Sequence, residues 1–342
     1  PDLWQRCADF GILGSNVPTQ YGGSGRDGVT TVAIMEALGY GCADNGLTLA
    51  LNGQMWAVQE PIQQFGTEEQ KRRYLPLLTS GGYGAHAMSE VGSGSDTFAL
   101  ATTAISATDG YVLNGTKSYI GLAPVCDVAL VFASTDPDVG RWGITAFLVD
   151  SDTPGVTRSA NQPKMGLRTG SFGELTFEDC LVPTSARLGP EGAGASIFTS
   201  SMDWERSFIF ASHVGSMARQ LDQSVDYART RRQFGEPIGK FQSVSNRIAD
   251  MQLLLETARL LLYKAAWLID TGQPAQMASA LANLHLAESF VASSTDAIRI
   301  HGAKGYLTEF GVERDLRDAL GGVIYSGTSD IQRQVIARLL GL

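Results

Sequence analysis

The chain has 342 residues, 26 Lys+Arg against 35 Asp+Glu (net charge −9), 44% hydrophobic residues and 4 Cys. At the usual ~100–200 residues per domain this length predicts two or three domains with ample core, and an acidic balance without a basic block argues against nucleic-acid or anionic-membrane partners. The apolar stretch around Leu253–Ile269 is broken by Glu256, Arg259 and Lys264, so no membrane span is expected. Cys7, Cys42, Cys126 and Cys180 lack metal-ligand spacing, which excludes a zinc ribbon and a disulfide framework. No signal peptide is visible, so a soluble, intracellular, globular protein is expected, in the cytoplasm. Because the chain begins at Pro1 rather than Met, a missing leading segment is also expected.

Residues 1–83 carry apolar positions at helical spacing: Leu3, Trp4, Ala8 and Leu13, then Val32, Met35, Leu38, and later Trp56, Ile62 and Phe65. Thr67-Glu68-Glu69 before Lys71 reads as a capped helix start with acids in its first turn. Over 84–189 the pattern becomes β: Ala101–Ala107, Tyr111-Val112-Leu113, Thr116–Ile120, Val128–Phe132, Trp142–Val149 and Glu174–Phe177, with Asn114-Gly115 as a two-residue hairpin signal. Without helical crossovers this is a small barrel or sandwich and not a parallel α/β domain. Residues 190–342 are predicted as long helices at about 194–232, 241–271, 274–301 and 312–341, an antiparallel four-helix bundle. The fold class is α+β, in the order helical domain, β-domain, bundle.

Most local motifs have ordinary readings. Gly23-Ser24-Gly25-Arg26-Asp27-Gly28 matches G-x-G-x-x-G, but Pro18, Gln20 and Tyr21 precede it where a strand is needed, so a surface loop is expected. His86, His213, His285 and His301 are scattered with no H-E-x-x-H, so no metal site is expected, and no G-x-S-x-G elbow occurs. Two segments stand out. Met88-Ser89-Glu90-Val91-Gly92-Ser93-Gly94-Ser95-Asp96 joins the helical and β regions with small residues whose backbone N–H groups can face a polar ligand. Asp203-Trp204-Glu205-Arg206 puts charge in an apolar helix (Ile197, Phe198, Phe208, Ile209, Phe210), which costs free energy unless paired or used. From these residues alone, a buried Glu205–Arg206 ion pair and a working site both remain open.

Together the segments resemble the acyl-CoA dehydrogenase family over essentially the whole chain. The signatures are Val17-Pro18-x-x-Tyr21-Gly22-Gly23, Phe65-Gly66-Thr67-Glu68-Glu69-Gln70-Lys71, Ser89–Asp96, Leu113-Asn114-Gly115-x-Lys117, Phe177–Pro183, Arg231-Arg232-Gln233-Phe234-Gly235, Gly302-Ala303-x-Gly305-Tyr306 and Ile324–Gln332, in the family's order. The resemblance implies FAD between the β-domain and the bundle. Met88 and Ser89 match positions flanking the flavin ring, and Ser95 lies near the cofactor–substrate boundary. Tyr119 and Gly121 stand where many members have Trp and Thr. Arg231, Gln233, Phe234 and Gln242 match positions that reach the FAD of a neighbouring subunit, so a homo-oligomer, usually a tetramer, is expected. Arg299, Gly302, Ala303 and Gly305 match the loop that receives the pyrophosphate or adenosine end, and Thr328 and Asp330 the turn cradling the adenosine portion.

The family's reaction removes an α-proton from an acyl thioester while the β-hydrogen leaves as hydride. It needs one carboxylate base, buried enough for its pKa to rise, and donors at the thioester oxygen. Most members place the base in a C-terminal Y-E-G-T turn; here the turn is Tyr325-Ser326-Gly327-Thr328. A minority, including isovaleryl-CoA and prolyl-carrier-protein dehydrogenases, carry it on the bundle helix just before an Arg, the position of Glu205. Glu205 is therefore the expected base, with Trp204 and Phe208 as its apolar surroundings. Asp203, Arg206, Ser95 and the Ser326 backbone N–H are the expected substrate contacts. The implied substrate is a thioester on CoA or on an acyl or peptidyl carrier protein, with an electron-accepting flavoprotein or other acceptor downstream. A flavin monooxygenase of the N-oxygenase type on the same fold is the alternative; a non-catalytic bundle protein is the third.

Overall fold

The computed structural model describes residues 2–342, so the reading of Pro1 as the start of an incomplete chain lies outside the described residues. In chain order come α1 (Asp2–Asp9), α2 (Gly28–Gly41), α3 (Asn45–Gln54), a π-turn (Met55–Gln59), α4 (Glu60–Phe65) and α5 (Glu68–Thr79). The strands follow as β1 (Gly84–Ala87), β2 (Thr103–Ala107), β3 (Gly110–Gly121), β4 (Val128–Ser134), β5 (Ile144–Asp150), β6 (Val156–Arg158), β7 (Phe172–Pro183) and β8 (Arg187–Leu188). Then come α6 (Gly194–Phe208), α7 (Ala211–Thr230), the short strands β9 (Arg232–Gln233) and β10 (Glu236–Pro237), α8 (Gln242–Asp270), α9 (Gln276–His301), α10 (Ala303–Tyr306), α11 (Val312–Gly322) and α12 (Ser329–Leu339). These elements fall into two compact units. The first runs up to Asp27 and continues through Ala50–Pro163 and Thr169–Glu205; the second comprises Gly28–Leu49, Lys164–Arg168 and Arg206–Leu342. No helix among the described residues is long and apolar enough to cross a membrane.

The first unit is built on one eight-stranded sheet in the order β6-β7-β3-β2-β4-β5-β8, with β1 pairing parallel to β4 off that path. Strand β4 shows how its two cores form. Val128, Leu130 and Phe132 face Val58, Ile62, Tyr74, Leu75 and Leu78 of the helical segments, while Ala129, Val131 and Ala133 face Phe147, Leu175, Phe177 and Val182. Alternation with period two therefore serves two apolar layers, and β4 reads as a continuous apolar run. Helix α5 starts at a capping box: Thr67 Oγ1 accepts from the Gln70 N–H, and Gln70 Oε1 accepts from the Thr67 N–H.

The hairpin expected at Asn114-Gly115 is not there. Residues 110–121 form one strand, β2 and β3 turn over at 108–109, and Asn114-Gly115 sits at a bulge where the β3–β7 register slips. A Cβ on Gly115 (φ +143) would stand 2.7 Å from the Thr102 Cα, so glycine here serves a close backbone approach rather than a turn. Asn114 is occupied across the sheet, donating to Asp179 Oδ1 and accepting from the Asp179 N–H.

In the second unit α7, α8 and α9 pack with α2, α11 and α12 around Met217, Leu221, Leu255, Leu262, Leu286 and Phe290. The first helix expected here, about 194–232, is two: α6 ends at Phe208 and α7 starts at Ala211, with Phe210 (φ −97, ψ 10) between them. The last, expected at about 312–341, is also divided, into α11 and α12, by the turn at 325–328. Helix α2 is tied into this unit at its start and near its middle. The Asp270 carboxylate caps the Gly28 and Val29 N–H groups, and Glu36 accepts from Arg259 and Tyr263.

Candidate functional site

In the first unit the Gly/Ser segment leaves the end of β1 and is held from beneath by Lys117. This lysine is fully buried and donates to the Met88 carbonyl (3.0 Å) and to Glu90 Oε1 (2.7 Å). The Glu90 carboxylate also accepts from the backbone N–H groups of Ala101 and Thr102. Burial drives the Lys117 ammonium down to about 8, against the pull of Glu90. Burial also works to raise Glu90, but the hydrogen bonds from Lys117 and Thr102 hold its carboxyl below the ordinary value. The Ser118 N–H donates to the Ser89 carbonyl, so Met88 and Ser89 lie against β3 where its ladder with β7 slips between Lys117 and Ile120. At that slip Tyr119 adopts φ +64 with its side chain half exposed, and nothing lies within 4 Å of a Cβ on Gly121. Ser95 is exposed on the loop, which Ser93 pins internally by donating to the Asp96 and Thr97 carbonyls.

The same unit ends on the charged segment of α6. Glu205 is buried at 9% exposure, and Trp204 beside it stacks on Trp56 (centroids 6.2 Å apart, planes at 20°). Asp203 and Trp204 are half-buried. Phe208, fully buried, belongs to the second unit.

In the second unit the turn before α12 is tightly specified. Ser326 (φ +56) and Gly327 (φ +81) are both left-handed, and Gln332 Nε2 donates to both of their carbonyls. A Cβ on Gly327 would stand 2.7 Å from Gln332 Nε2 and 3.8 Å from Arg206 Nε, so Arg206 lies directly against this turn. Thr328 caps α12 by accepting from the Ile331 N–H, and Asp330 is exposed and paired with Arg333. Arg231, Gln233 and Phe234 stand on the β9–β10 hairpin, whose two-residue turn is Phe234-Gly235, both at positive φ. Phe234 is 94% exposed, and Arg231, Gln233 and Gln242 are exposed with it. Arg299 pairs with Asp296 at the end of α9, Gly302 (φ +59) closes that helix, Ala303 is exposed and Gly305 is buried.

The structure thus brings Met88 and Ser89 together with Lys117 and Ser118, and Arg206 with Gly327. It also shows residues that the sequence does not single out. Lys117 stands there only as part of a motif, although it shares the inward alternation of Tyr111 and Leu113, which is an abnormal place for an ammonium. Glu60 is buried, accepting from Asn16, Gln63 and Gln64, and burial pushes its carboxyl up to about 7. Nothing local marks Glu60, because the burial comes from packing. Among the described residues no group of three His, Cys, Asp or Glu side chains could hold a metal ion.

The residues at the β1–β3 edge fit a flat heterocycle with amide-like edges. They offer a buried thioether at Met88, a hydroxyl at Ser89, main chain out of the ladder at Ser118-Tyr119, and open space over Gly121. The exposed Phe234 with the adjoining Arg231 and Gln233 offers an aromatic face and polar donors, a set suited to a nucleotide.

Comparison with known proteins agrees with this arrangement. The chain matches the N-terminal, middle and C-terminal acyl-CoA dehydrogenase domain families over residues 1–82, 85–180 and 192–341. It is 46% identical to the L-prolyl-[peptidyl-carrier protein] dehydrogenase of Pseudomonas fluorescens, over 99% of this chain and 90% of that protein. Among solved structures it is similar to the prolyl acyl carrier protein oxidase AnaB (TM-score 0.98, 48% identity, 100% of this chain and 90% of that one). It is likewise similar to PigA with FAD and proline (TM-score 0.97, 42% identity, 100% and 89%). With three domain families matched in order and identity above 40% across the whole chain, this protein belongs to the acyl-CoA dehydrogenase family.

Proposed function

We propose that the protein is an FAD-dependent dehydrogenase of acyl thioesters, that Glu205 is its base, and that its substrate is a small acyl group, with a prolyl group on a peptidyl carrier protein as the first choice. The observation that carries this reading is the pairing of a buried carboxylate at 205 with a serine at 326. A hydroxyl is too weak a base for an α-proton, and the chain supplies a carboxylate on α6. The relatives named above that act on prolyl groups of carrier proteins support the substrate; a CoA thioester is the other carrier, and none of those relatives is a monooxygenase.

Met88, Ser89, Tyr119 and Gly121 would hold the flavin ring, Arg299, Gly302, Ala303, Gly305, Thr328 and Asp330 the remainder. Bound FAD supplies the acceptor for the β-hydrogen and its electron pair. Glu205 takes the α-proton; its burial beside Trp204 keeps water from competing for the carboxylate. The Ser326 backbone N–H, set by a left-handed residue and by Gln332 clasping the carbonyls, is our candidate donor to the thioester oxygen. Arg206 against that turn, with Asp203 and Ser95, would meet the carrier arm.

The exposed hairpin carrying Arg231, Gln233 and Phe234, with Gln242, supports a homo-oligomer, a tetramer in our reading, in which these residues complete a neighbour's FAD site. Cys42, Cys126 and Cys180 standing as thiols support a reducing compartment, the cytoplasm, where an electron-accepting flavoprotein would reoxidise the cofactor. The matched domain families also support boundaries at 1–83, 84–189 and 190–342. The test is anaerobic titration of Glu205→Gln holoenzyme with the prolyl thioester of a peptidyl carrier protein. FAD should stay bound, and thioester-dependent flavin reduction should fall by at least ~10²-fold, the low end of what a positioned base contributes. Reduction at the parental rate would place the base elsewhere.

A further inference from the structure

Two contacts tie the helix that carries Glu205 to the segment 55–65. Trp56 stacks on Trp204, the residue next to Glu205, with its Nε1–H donating to Asn52 Oδ1 (3.1 Å), which fixes the ring plane. Gln64 Oε1 accepts from Ser200 Oγ (3.0 Å). Ser200 and Trp204 are four residues apart on α6 and share one face of it, so the two contacts grip the helix a turn apart. Behind Gln64 stands Glu60, which accepts from Gln64 Nε2 at 2.9 Å and also from Gln63 and Asn16. Trp56 sits in a π-turn, a conformation that is rare and recurs at functional sites, and both Trp56 and Glu60 are buried.

We infer that Trp56 and the Glu60–Gln64–Ser200 chain are positioning residues for Glu205, holding its helix by stacking on Trp204 at one turn and by a hydrogen bond to Ser200 at the previous one. This rests on the reading of Glu205 as the base. A base must be held within a fraction of an ångström of its proton, and a misplacement of about 1 Å costs on the order of 10²-fold. Trp204 adjoins Glu205 along the backbone of α6, so a shift of the helix at Trp204 carries the carboxylate with it.

The experiment follows exchange of the substrate α-proton with D₂O, using holoenzyme with butyryl-CoA and with a prolyl carrier-protein thioester. In that exchange the proton leaves carbon for the carboxylate, the C–H electron pair stays on the substrate as the enolate, a deuteron returns to it, and nothing is oxidised or reduced. Trp56→Leu, Ser200→Ala and their double variant should slow exchange and flavin reduction at saturating thioester by roughly 10- to 100-fold. The KM and FAD affinity should stay near parental values, and the near-UV circular dichroism of the Trp56–Trp204 pair should be lost in Trp56→Leu. Trp56→Phe, which keeps an aromatic face, should restore most of the exchange rate and carries the test if Trp56→Leu does not fold. Parental exchange in the double variant, or a change confined to KM, overturns the positioning role while Glu205→Gln still abolishes exchange. Exchange that persists in Glu205→Gln overturns the base itself.

Discussion

Glu60→Gln isolates one of the buried carboxylates of the first unit. Burial raises the folded-state pKa of Glu60 from 4.5 to about 7. The folded protein therefore holds a proton at Glu60 that the unfolded chain gives up, and this stabilisation is complete below pH 4.5 and disappears as pH rises through about 7. At about 1.4 kcal/mol per unit, the shift makes wild type less stable at pH 8 than at pH 4.5 by about 3 kcal/mol from this residue. The amide introduced by Glu60→Gln cannot ionise, so that loss vanishes. The variant also carries a pH-independent cost of about 1–2 kcal/mol, because an amide N–H₂ would face one of the donors on Asn16, Gln63 or Gln64. Urea unfolding of both holoproteins at saturating FAD from pH 4.5 to 8 should show wild type ahead at low pH and the gap closing or reversing at high pH. A gap that stays constant across this range would refute the reasoning, since it would mean that Glu60 titrates alike in the folded and unfolded states.

Lys117→Met leaves Glu90 buried without its cation and should destabilise the protein by about 3–5 kcal/mol, with Lys117→Met/Glu90→Gln recovering much of it; chemical denaturation of the three proteins checks this. His213 is fully buried between Phe210 and Phe290, and neither ring nitrogen has a hydrogen-bond partner among the described residues; burial lowers its pKa from 6.5 to about 3. Its contribution is present above pH 6.5 and lost as pH falls toward 3, about 5 kcal/mol in all. His213→Phe should accordingly flatten the acid limb of a stability–pH curve, and an unchanged limb would show that the ring is accessible to protons in the folded state.

The pattern of residues already determined the order of helical segment, sheet and helical bundle, because hydrophobic period is a local property: β4 runs apolar and α8 alternates faces whatever they later touch. Caps are equally local, so Thr67 marks a helix start on both readings, whereas the cap at Thr328 emerges only where the structure divides the last helix. The carboxylate we propose as the base was legible too, as Glu205 present and a glutamate missing at 326. Only the tertiary structure decided which polar groups lie buried. Lys117, Glu60 and His213 look like ordinary surface candidates until strands and helices distant in sequence close over them, and their altered protonation comes from that lost water. It also decided that Asn114-Gly115 is a bulge and that residues 209–210 break a helix, since Gly115 answers to the Thr102 backbone and Phe210 to His213 and Tyr325. Backbone preference names the conformations a residue tolerates, and a non-local neighbour selects among them.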